Sequence, residues 1–419
     1  MVPPKSLLLR QGRLVSDPHT VVDLALQGGL IAAIGPDLDF AADQVLDLGG
    51  QLVSPPLVES HIHLDSALTA GQPRWNESGT LFEGIEIWRD RKQSVTLEDV
   101  QARAIAALKL QASQGVLFVR IHADVSEPTQ TPLKALLAVK AAVKDWLTLQ
   151  IVAFPQDGLY SAPENAARLE EALQLGADVV GGIPHYELTR EDGVRSVQYV
   201  FDLAEKYDRL IDIHCDEIDD DQSRFLEVVA AEAIRRGLGS RVTASHTTAF
   251  GSYNNAYAFK LMGFLQRSGI NFVANPLINL TLQGRADTYP KRRGLTRVKE
   301  LWQNGLNVSL GHDCIQDPWY SLGTGNLLEV ASVAVHACQM TGRDELAACY
   351  DMITTHGAQT LKVADQYGIE VGKPANLITL ATADKITAIR DRAPVCHVIA
   401  QGRLLVSTPA PQPTWHLAV

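Results

Sequence analysis

The sequence contains few cysteines and no long apolar run, and both absences limit where the protein can work. Its five cysteines in 419 residues include no C-x-x-C pair. A chain of this length does not depend on disulfides for a stable core, so we expect reduced thiols in a cytoplasmic protein. No segment offers ~18 uninterrupted apolar residues, and the N-terminal stretch carries only a short run of leucines at 7–9. The sequence therefore predicts neither secretion nor a membrane span.

Positive charge is also scarce. Lysine and arginine number 37 against 48 aspartates and glutamates, which gives a net charge of −11 at pH 7. Binding to a nucleic-acid backbone needs concentrated lysine and arginine, so this composition argues against a nucleic acid as partner. The one basic cluster, Lys-Arg-Arg at 291–293, is short and lies in a stretch typical of a solvated loop.

Several common metal and phosphate signatures are missing. The chain has no His-Glu-x-x-His, and the His-Tyr-Glu segment at 185–187 lacks the P-C-x-x-C that accompanies H-x-E in one class of zinc enzymes. We therefore expect a structural role for His185 and Glu187. The Gly-Thr-Gly segment at 323–325 predicts a loop before a helix at 326–339, rather than a phosphate-binding loop.

A candidate metal site begins in the stretch 54–65, which reads SPPLVESHIHLD. On an extended strand, residues i and i+2 point to the same face, so His61 and His63 present both imidazoles to one side. A His-x-His pair occurs often by chance, and two polar residues at a strand end are the alternative interpretation. The pair becomes a strong indication only if distant strands supply further ligands.

Three later strand candidates also end at titratable residues. Their ends carry, in order, His214 with Glu217, His246, and Asp313. The runs before them have the β-branched, apolar composition of buried strands. In (β/α)₈ barrels, catalytic residues collect at the C-terminal edge of the sheet, whereas residues that only pack would be apolar. His122 ends another strand, and since four ligands are already available we expect it to support them through hydrogen bonds.

Strand and helix signals alternate through the centre of the chain. Strand candidates centre on Val58, Val119, Val152, Val179, Ile213, Ala244, Phe272 and Ser309. Apolar residues at helical spacing fill intervening stretches such as 97–114, 133–146, 166–175 and 224–236. This alternation predicts a parallel (β/α)₈ barrel. An open doubly wound sheet is the alternative, but its first and eighth strands would lie far apart, and ligands from both could not converge.

Both ends of the chain predict short strands instead. Candidates lie at 6–9, 21–26, 29–34 and 44–48, and again at 376–380, 396–400 and 402–406. We expect the two sets to pair into one small β domain, because that arrangement leaves the barrel between them uninterrupted. The predicted domains are 1–53 with 365–419 for the small domain, and 54–364 for the catalytic barrel.

Longer segments of the sequence resemble the amidohydrolase superfamily, and within it the bacterial cytosine deaminase family. The resemblance covers nearly the whole chain and includes 64–65, 69–73, 78–86, 151–156, 214–220, 245–248, 269–276, 288–294 and 317–320. It implies a distorted (β/α)₈ barrel with a small β-sandwich domain formed by both termini. It also implies one divalent metal ion, hydrolytic loss of ammonia from a free pyrimidine base, and a homo-oligomer such as a hexamer.

Carried over residue by residue, the metal ligands of this family fall on His61, His63, His214 and Asp313. The family implies Fe²⁺, with Zn²⁺ or Mn²⁺ able to substitute, and three imidazoles with a carboxylate suit all three ions. No lysine ends the fourth strand at 179–184, so a bridging carboxylated lysine cannot form there. We therefore expect one metal ion rather than two.

The resemblance and the chemistry of deamination together assign the remaining roles. Glu217, three residues past His214, is expected to carry a proton to the ring nitrogen. His246 would orient the attacking hydroxide, and Asp313 would pass a second proton to the departing ammonia. The side-chain amide of Gln156 suits the O2 and N1 edge of a pyrimidine. Apolar walls against the flat ring are expected from Phe154, Trp319 and Leu81.

One position departs from the family. Where cytosine deaminases usually have a second aspartate after the metal ligand, this chain has Cys314. A thiol is smaller and less polar than a carboxylate, so we expect an apolar niche beside Asp313 that accepts a methyl group at ring position 5. The hypothesis is a deaminase that converts 5-methylcytosine to thymine and cytosine to uracil.

Three alternatives stay open beside this hypothesis. The first is a plain cytosine deaminase, and the second is a deaminase of another cyclic amidine such as isoguanine. The third is a barrel that binds a metal ion but serves as a scaffold without catalysis. Such a scaffold would be expected to lose a ligand or the acid, and this sequence keeps every proposed ligand as well as Glu217.

Overall fold

The computed structural model describes residues 6–411 and 413–416. Residues 1–5, 412 and 417–419 belong to the predicted small domain but lie outside the described residues. Over the described part of the chain, no helix is both long and apolar enough to cross a bilayer. Two sheets of eight strands each organise the molecule, one in the centre of the chain and one built from both ends.

The central sheet is the predicted parallel barrel. Its strands are β6 (Leu57–Ile62), β7 (Val116–Asp124), β8 (Thr148–Phe154), β9 (Val179–Gly182), β10 (Leu210–Cys215), β11 (Val242–His246), β12 (Asn271–Ala274) and β13 (Val308–Leu310). Each strand pairs in parallel with the next one along the chain. All eight predicted strand centres lie inside these strands, so the barrel prediction is confirmed.

The barrel closes at the C-terminal ends of its first and last strands. Asp313 donates its backbone N–H to the carbonyl of His61, and His63 donates to the carbonyl of Asp313, both at 2.9 Å. The buried carboxylate of Glu59 adds a second link, because its Oε1 accepts from the backbone N–H groups of His61 at 3.1 Å and His312 at 2.9 Å. These bonds bring candidate ligands from opposite ends of the barrel sequence to one place.

Helices surround the barrel and connect its strands. They are α1 (Leu81–Lys92), α2 (Leu97–Ser113), α3 (Thr131–Val143), α4 (Asn165–Leu175), α5 (Arg190–Tyr207), α6 (Phe225–Arg236), α7 (Asn255–Ser268), α8 (Pro276–Leu282), α9 (Val298–Gln303), α10 (Leu327–Ala337), α11 (Arg343–Met352) and α12 (Thr355–Thr360), with α13 (Lys385–Asp391) beyond the barrel. Several begin at a side chain that accepts a backbone N–H, at Thr80, Thr96, Thr189, Asn254, Asn326 and Asp384. The predicted helices match α2, α3, α4, α6 and α10 within a few residues at each end.

The chain ends form the second sheet. Its strands are β1 (Ser6–Leu14), β2 (Asp17–Gln27), β3 (Leu30–Gly35), β4 (Gln44–Asp47), β5 (Leu52–Ser54), β14 (Leu377–Leu380), β15 (Val395–Ala400) and β16 (Arg403–Ser407). The order β16-β15-β14-β5-β1-β2-β3, with β4 on β1, confirms that both termini share one module with its own apolar core. The short strand β5 joins the two ends and was not predicted. The exact domain boundaries at 53–54 and 364–365 stay a prediction.

A buried ion pair fills the barrel interior. Arg120 on β7 has no exposed surface, and its guanidinium donates to Asp212 Oδ2 at 3.0 Å, to Gln150 Oε1 at 3.0 Å and to the carbonyl of Thr360 at 2.9 Å. Because every strong donor has an acceptor, the charge is tolerated in the interior. Asp212 also bonds to Ser245, so this pair supports the residues of the site.

Candidate active site

Titratable side chains from four strands meet at the C-terminal edge of the barrel. His61 and His63 come from the end of β6, His214 from β10, His246 from the end of β11, and Asp313 from the loop after β13. All five are at most 7% exposed. His246 and Asp313 adopt positive φ angles of 67° and 71°, which non-glycine residues rarely do outside constrained sites. The backbone thus turns sharply where these side chains enter the cluster.

The ring nitrogens and the carboxylate lie close enough to share one ion. His63 Nε2 lies 3.2 Å from His214 Nε2 and 3.5 Å from Asp313 Oδ1. His61 Nε2 lies 3.7 Å from Asp313 Oδ1 and has no hydrogen-bond partner among the described residues, although it is fully buried. Burial and the neighbouring imidazoles hold the pKa of each of these histidines well below its usual value. Neutral imidazoles offer lone pairs, so this donor set fits a divalent metal ion.

The hydrogen bonds around His61 fix which nitrogen faces the cluster. Ser245 donates its hydroxyl proton to Asp212 Oδ1 at 2.6 Å, so its oxygen is free to accept from His61 Nδ1 at 3.1 Å. Nδ1 therefore carries the proton, and the lone pair lies on Nε2, toward Asp313. Such outer partners set the tautomer and orientation of metal-binding histidines.

His122 lies beside the cluster without the predicted hydrogen bonds. Its ring centroid is 3.9 Å from that of His61, and its Nε2 is 3.6 Å from Asp212 Oδ1, which is long for a hydrogen bond. Neither ring nitrogen has a partner among the described residues. The expectation of hydrogen-bonded support stays a prediction, because the nearest acceptor, Asp212 Oδ1, lies just beyond normal hydrogen-bond distance. His122 supports His61 by packing.

Glu217 and His246 form a second group at the rim of the cluster. Glu217 Oε1 lies 3.1 Å from His246 Nδ1, and Asn279 Nδ2 lies 3.4 Å from the same carboxylate oxygen. Burial raises the pKa of Glu217 to about 8, so its carboxyl group can hold a proton near neutral pH. His246 Nε2 points to Asp313 Oδ2 at 3.8 Å. A proton donor and a candidate ligand thus face the same space.

A small cavity lies above the cluster. It is lined by His63, Leu81, Gln156, Ile183, His214, Glu217, His246, Leu282, Asp313, Cys314 and Trp319. The lining therefore includes three of the four predicted ligands, the predicted acid and four of the five predicted substrate contacts, while His61 lies in the cluster but does not line the cavity. Ile183 and Leu282 were missed, and nothing in their local sequence distinguishes them from core residues. Asn275, whose Nδ2 lies 3.3 Å from His246 Nδ1, and Asn279 were also missed, although Asn275 follows β12 as a polar residue at a strand end and could have been found by that pattern.

Phe154 is the exception, because it does not line the cavity. Its ring stacks on the imidazole of His214 with centroids 4.0 Å apart and an interplanar angle of 19°. It is fully buried at the end of β8. The expectation of a wall against the substrate stays a prediction, and the stacking shows that Phe154 also packs on the ring of His214.

Cys314 occupies an apolar corner of the cavity. Its side chain is 2% exposed and belongs to a cluster with Ile85, Trp88, Ile278, Leu282 and Trp319. Burial and the nearby carboxylate of Asp313 raise the pKa of the thiol well above its usual value, so it stays neutral. Its Sγ lies 3.6 Å from Asp313 Oδ1. The side chain at position 314 is therefore uncharged.

A parallel barrel, a small domain formed by both chain ends and a buried histidine cluster are together typical of one class of metal-dependent hydrolases. The chain belongs to the amidohydrolase family, whose model matches residues 44–406. It is 48% identical to the 5-methylcytosine deaminase from Klebsiella pneumoniae solved with 5-fluorocytosine, with a TM-score of 0.95 over 97% of this chain and 99% of that one. The same deaminase solved with phosphonocytosine gives a TM-score of 0.94, 48% identity and coverage of 97% and 100%.

A more distant relative shares the whole length. The N-isopropylammelide isopropyl amidohydrolase of Pseudomonas sp. (strain ADP) is 30% identical over 406 residues, which is 96% of this chain and 97% of that protein. The expected membership of the amidohydrolase superfamily is thus confirmed, and so is the distorted barrel with a terminal β domain. The protein is a hydrolytic enzyme of this family.

Proposed function

We propose that the protein removes ammonia from 5-methylcytosine to give thymine, and from cytosine to give uracil. The observation that carries the proposal is the neutral, buried Cys314 in a cavity that also contains Glu217 and the histidine cluster. The 48% identity to a 5-methylcytosine deaminase over almost the full length of both chains supports it. Membership of the family does not by itself determine the substrate, so the choice of bases follows from the residues that line the cavity.

We infer that one divalent ion would be held by His61, His63, His214 and Asp313. Donor atoms of the three histidines lie within 4.8 Å of one another, and Asp313 Oδ1 lies 3.7 Å from His61 Nε2 and 3.5 Å from His63 Nε2. The unpartnered His61 Nε2 is the sort of buried atom that an ion satisfies. Such an ion, when bound, supplies an activated water by lowering its pKa toward about 7. Fe²⁺ remains the expected ion, with Zn²⁺ or Mn²⁺ as substitutes, because these ligand types do not separate the three.

The protein side chains then handle the protons. Water adds to the ring carbon that bears the amino group, and Glu217 delivers a proton to the adjacent ring nitrogen. His246 holds the attacking oxygen, and Asp313 passes the second proton to the amine as the carbon–nitrogen bond breaks. The amino group leaves as ammonia, and the oxygen of water becomes the new carbonyl group. No other reactant is consumed. The pKa of Glu217, raised to about 8, suits a group that must give and regain a proton near neutral pH.

Recognition of the base is assigned to the cavity walls. Gln156 is 5% exposed in the cavity and carries both a donor and an acceptor, which matches the amide-like O2 and N1 edge of a pyrimidine. Leu81 and Trp319 offer apolar surface to the ring. Cys314 would face position 5 and accept a hydrogen or a methyl group there. A larger or charged group at ring position 5 would be disfavoured, because it would contact the buried apolar cluster around Cys314.

A direct test is a hydrolysis assay on the metal-loaded protein. Ammonia release and chromatographic identification of the product should be measured with 5-methylcytosine, cytosine and isoguanine after the metal content has been determined. The proposal predicts thymine from 5-methylcytosine and uracil from cytosine. Turnover of isoguanine alone would favour that alternative, and metal-loaded protein inert to all three bases would favour the scaffold.

A further inference from the structure

The indole of Trp319 forms one wall of the cavity and packs on helix α1. Its Nε1–H donates to the carbonyl oxygen of Leu81 at 3.2 Å. Its ring lies 6.2 Å from that of His63, centroid to centroid, and it shares the apolar cluster that contains Cys314. The position of this indole therefore sets the width of the cavity on the side of Cys314.

Gly84 lies where the indole meets the helix. A Cβ atom on Gly84 would lie 2.3 Å from Cδ1 and 2.4 Å from Nε1 of Trp319. Carbon atoms in van der Waals contact lie about 3.5–4.0 Å apart, so no side chain fits without moving the ring. Gly84 is the fourth residue of α1, inside the helix, where alanine is favoured over glycine. Space rather than backbone conformation thus requires glycine at this position.

The segment that carries Trp319 is held by side-chain hydrogen bonds to its backbone. Asn76 Nδ2 donates to the carbonyl of Thr80 at 3.0 Å and to that of Pro318 at 3.1 Å, which ties this segment to the start of α1. Asp317 Oδ1 accepts from the backbone N–H of Trp319 at 2.9 Å. With its backbone held in this way, an indole displaced by a group on α1 moves toward the cavity.

We propose that Gly84 is a positioning residue for substrate selectivity, which acts by letting Trp319 lie against the backbone of α1. The inference rests on the proposed function for the choice of bases. Without the close contact at Gly84, the indole would enter the space that a substituent at ring position 5 needs. The bulkier base should therefore lose more than the smaller one.

The test compares Gly84→Ala with a matched helical glycine. Gly263 in α7 is suitable because a Cβ there would meet no atom within 4 Å. Steady-state kinetics of Gly84→Ala should show KM for 5-methylcytosine raised about 10-fold or more, with a smaller rise for cytosine and with kcat changed less than KM, since one misplaced methyl group is worth roughly 10–200-fold in selectivity. Gly263→Ala should retain the native values for both bases.

A Trp319→Ala background shows whether the effect passes through the indole. There, adding Gly84→Ala should change neither KM nor the ratio of the two bases. Native KM values in Gly84→Ala, or an equal shift in both backgrounds, would overturn the proposal. If Gly84→Ala alone does not fold, the double variant becomes the test. It must fold and must have the KM values of Trp319→Ala, and failure of either condition overturns the proposal. A native protein inert to both bases would instead contradict the proposed function.

Discussion

At the scale of single residues, the site depends on which atom of each side chain faces the centre. Ser245 can accept from His61 Nδ1 only because its own proton goes to Asp212, and this leaves Nε2 toward the cluster. Phe154 constrains the plane of the His214 ring by stacking on it. Sequence patterns locate residues at strand ends, but they do not reveal these partners, because the partners lie about 60–180 residues away and meet only after barrel closure.

The first residue-scale prediction concerns the acid. Glu217→Gln keeps the shape of the side chain but removes the exchangeable proton, so kcat should fall by roughly 10²–10⁴-fold while metal content stays native. Turnover and metal analysis on the same preparation would measure both. Glu227→Gln, on the outer face of α6, is the control and should behave as native. Loss of metal from Glu217→Gln would contradict the assignment.

The second prediction concerns the metal content of variants and distinguishes a candidate ligand from a histidine outside the cluster. His214→Ala should lower the metal content of the purified protein severalfold or more, since it removes one of four donors. His336→Ala is the control, because His336 lies on α10 and bonds only to the carbonyl of Ser332 among the described residues. Metal analysis would check both variants. A fully loaded His214→Ala protein would remove this residue from the ligand set.

At the scale of secondary-structure elements, the strands were predictable and their connections were less so. Each barrel strand is a short β-branched run that ends at a polar residue or turn, and such runs are distinctive. Helix α1 was not predicted, because its residues 81–92 mix charged and apolar side chains without a clear apolar stripe. Its contacts with Trp319 and Asp124 come from distant parts of the chain. Strand β5 has only three residues and is defined by its partners on both sides.

An element-scale prediction concerns the buried pair between β7 and β10. Arg120→Met should lower the free energy of unfolding by about 3–5 kcal/mol, because Asp212 would be left as an uncompensated charge in the barrel interior. The surface pair partner Arg195→Met is the control and should change stability by less than about 1 kcal/mol. Denaturant unfolding of the three proteins would measure the differences. Equal stability of Arg120→Met and native protein would contradict a structural role for the pair.

At the scale of the whole molecule, the two sheets have different roles. The barrel carries the entire candidate site, while the terminal sheet brings both chain ends together and contributes no residue to the cavity lining. A homo-oligomer such as a hexamer, and a cytoplasmic location, stay predictions from the sequence. Under the proposed function the cavity holds one free base, and the choice between bases depends on one corner of it, where Cys314 stands in place of the carboxylate expected from the family.

The measurement that tests this account most directly is kcat/KM for 5-methylcytosine and cytosine in the native protein and in Cys314→Asp. Burial of one methyl group is worth about 1–3 kcal/mol, so the native enzyme should use 5-methylcytosine at least as well as cytosine and retain cytosine activity. Cys314→Asp should shift the preference toward cytosine by roughly 10–200-fold, since a carboxylate resists desolvation against the methyl group. A native preference for cytosine of about tenfold or more, unchanged in Cys314→Asp, would contradict the apolar niche and leave plain cytosine deamination.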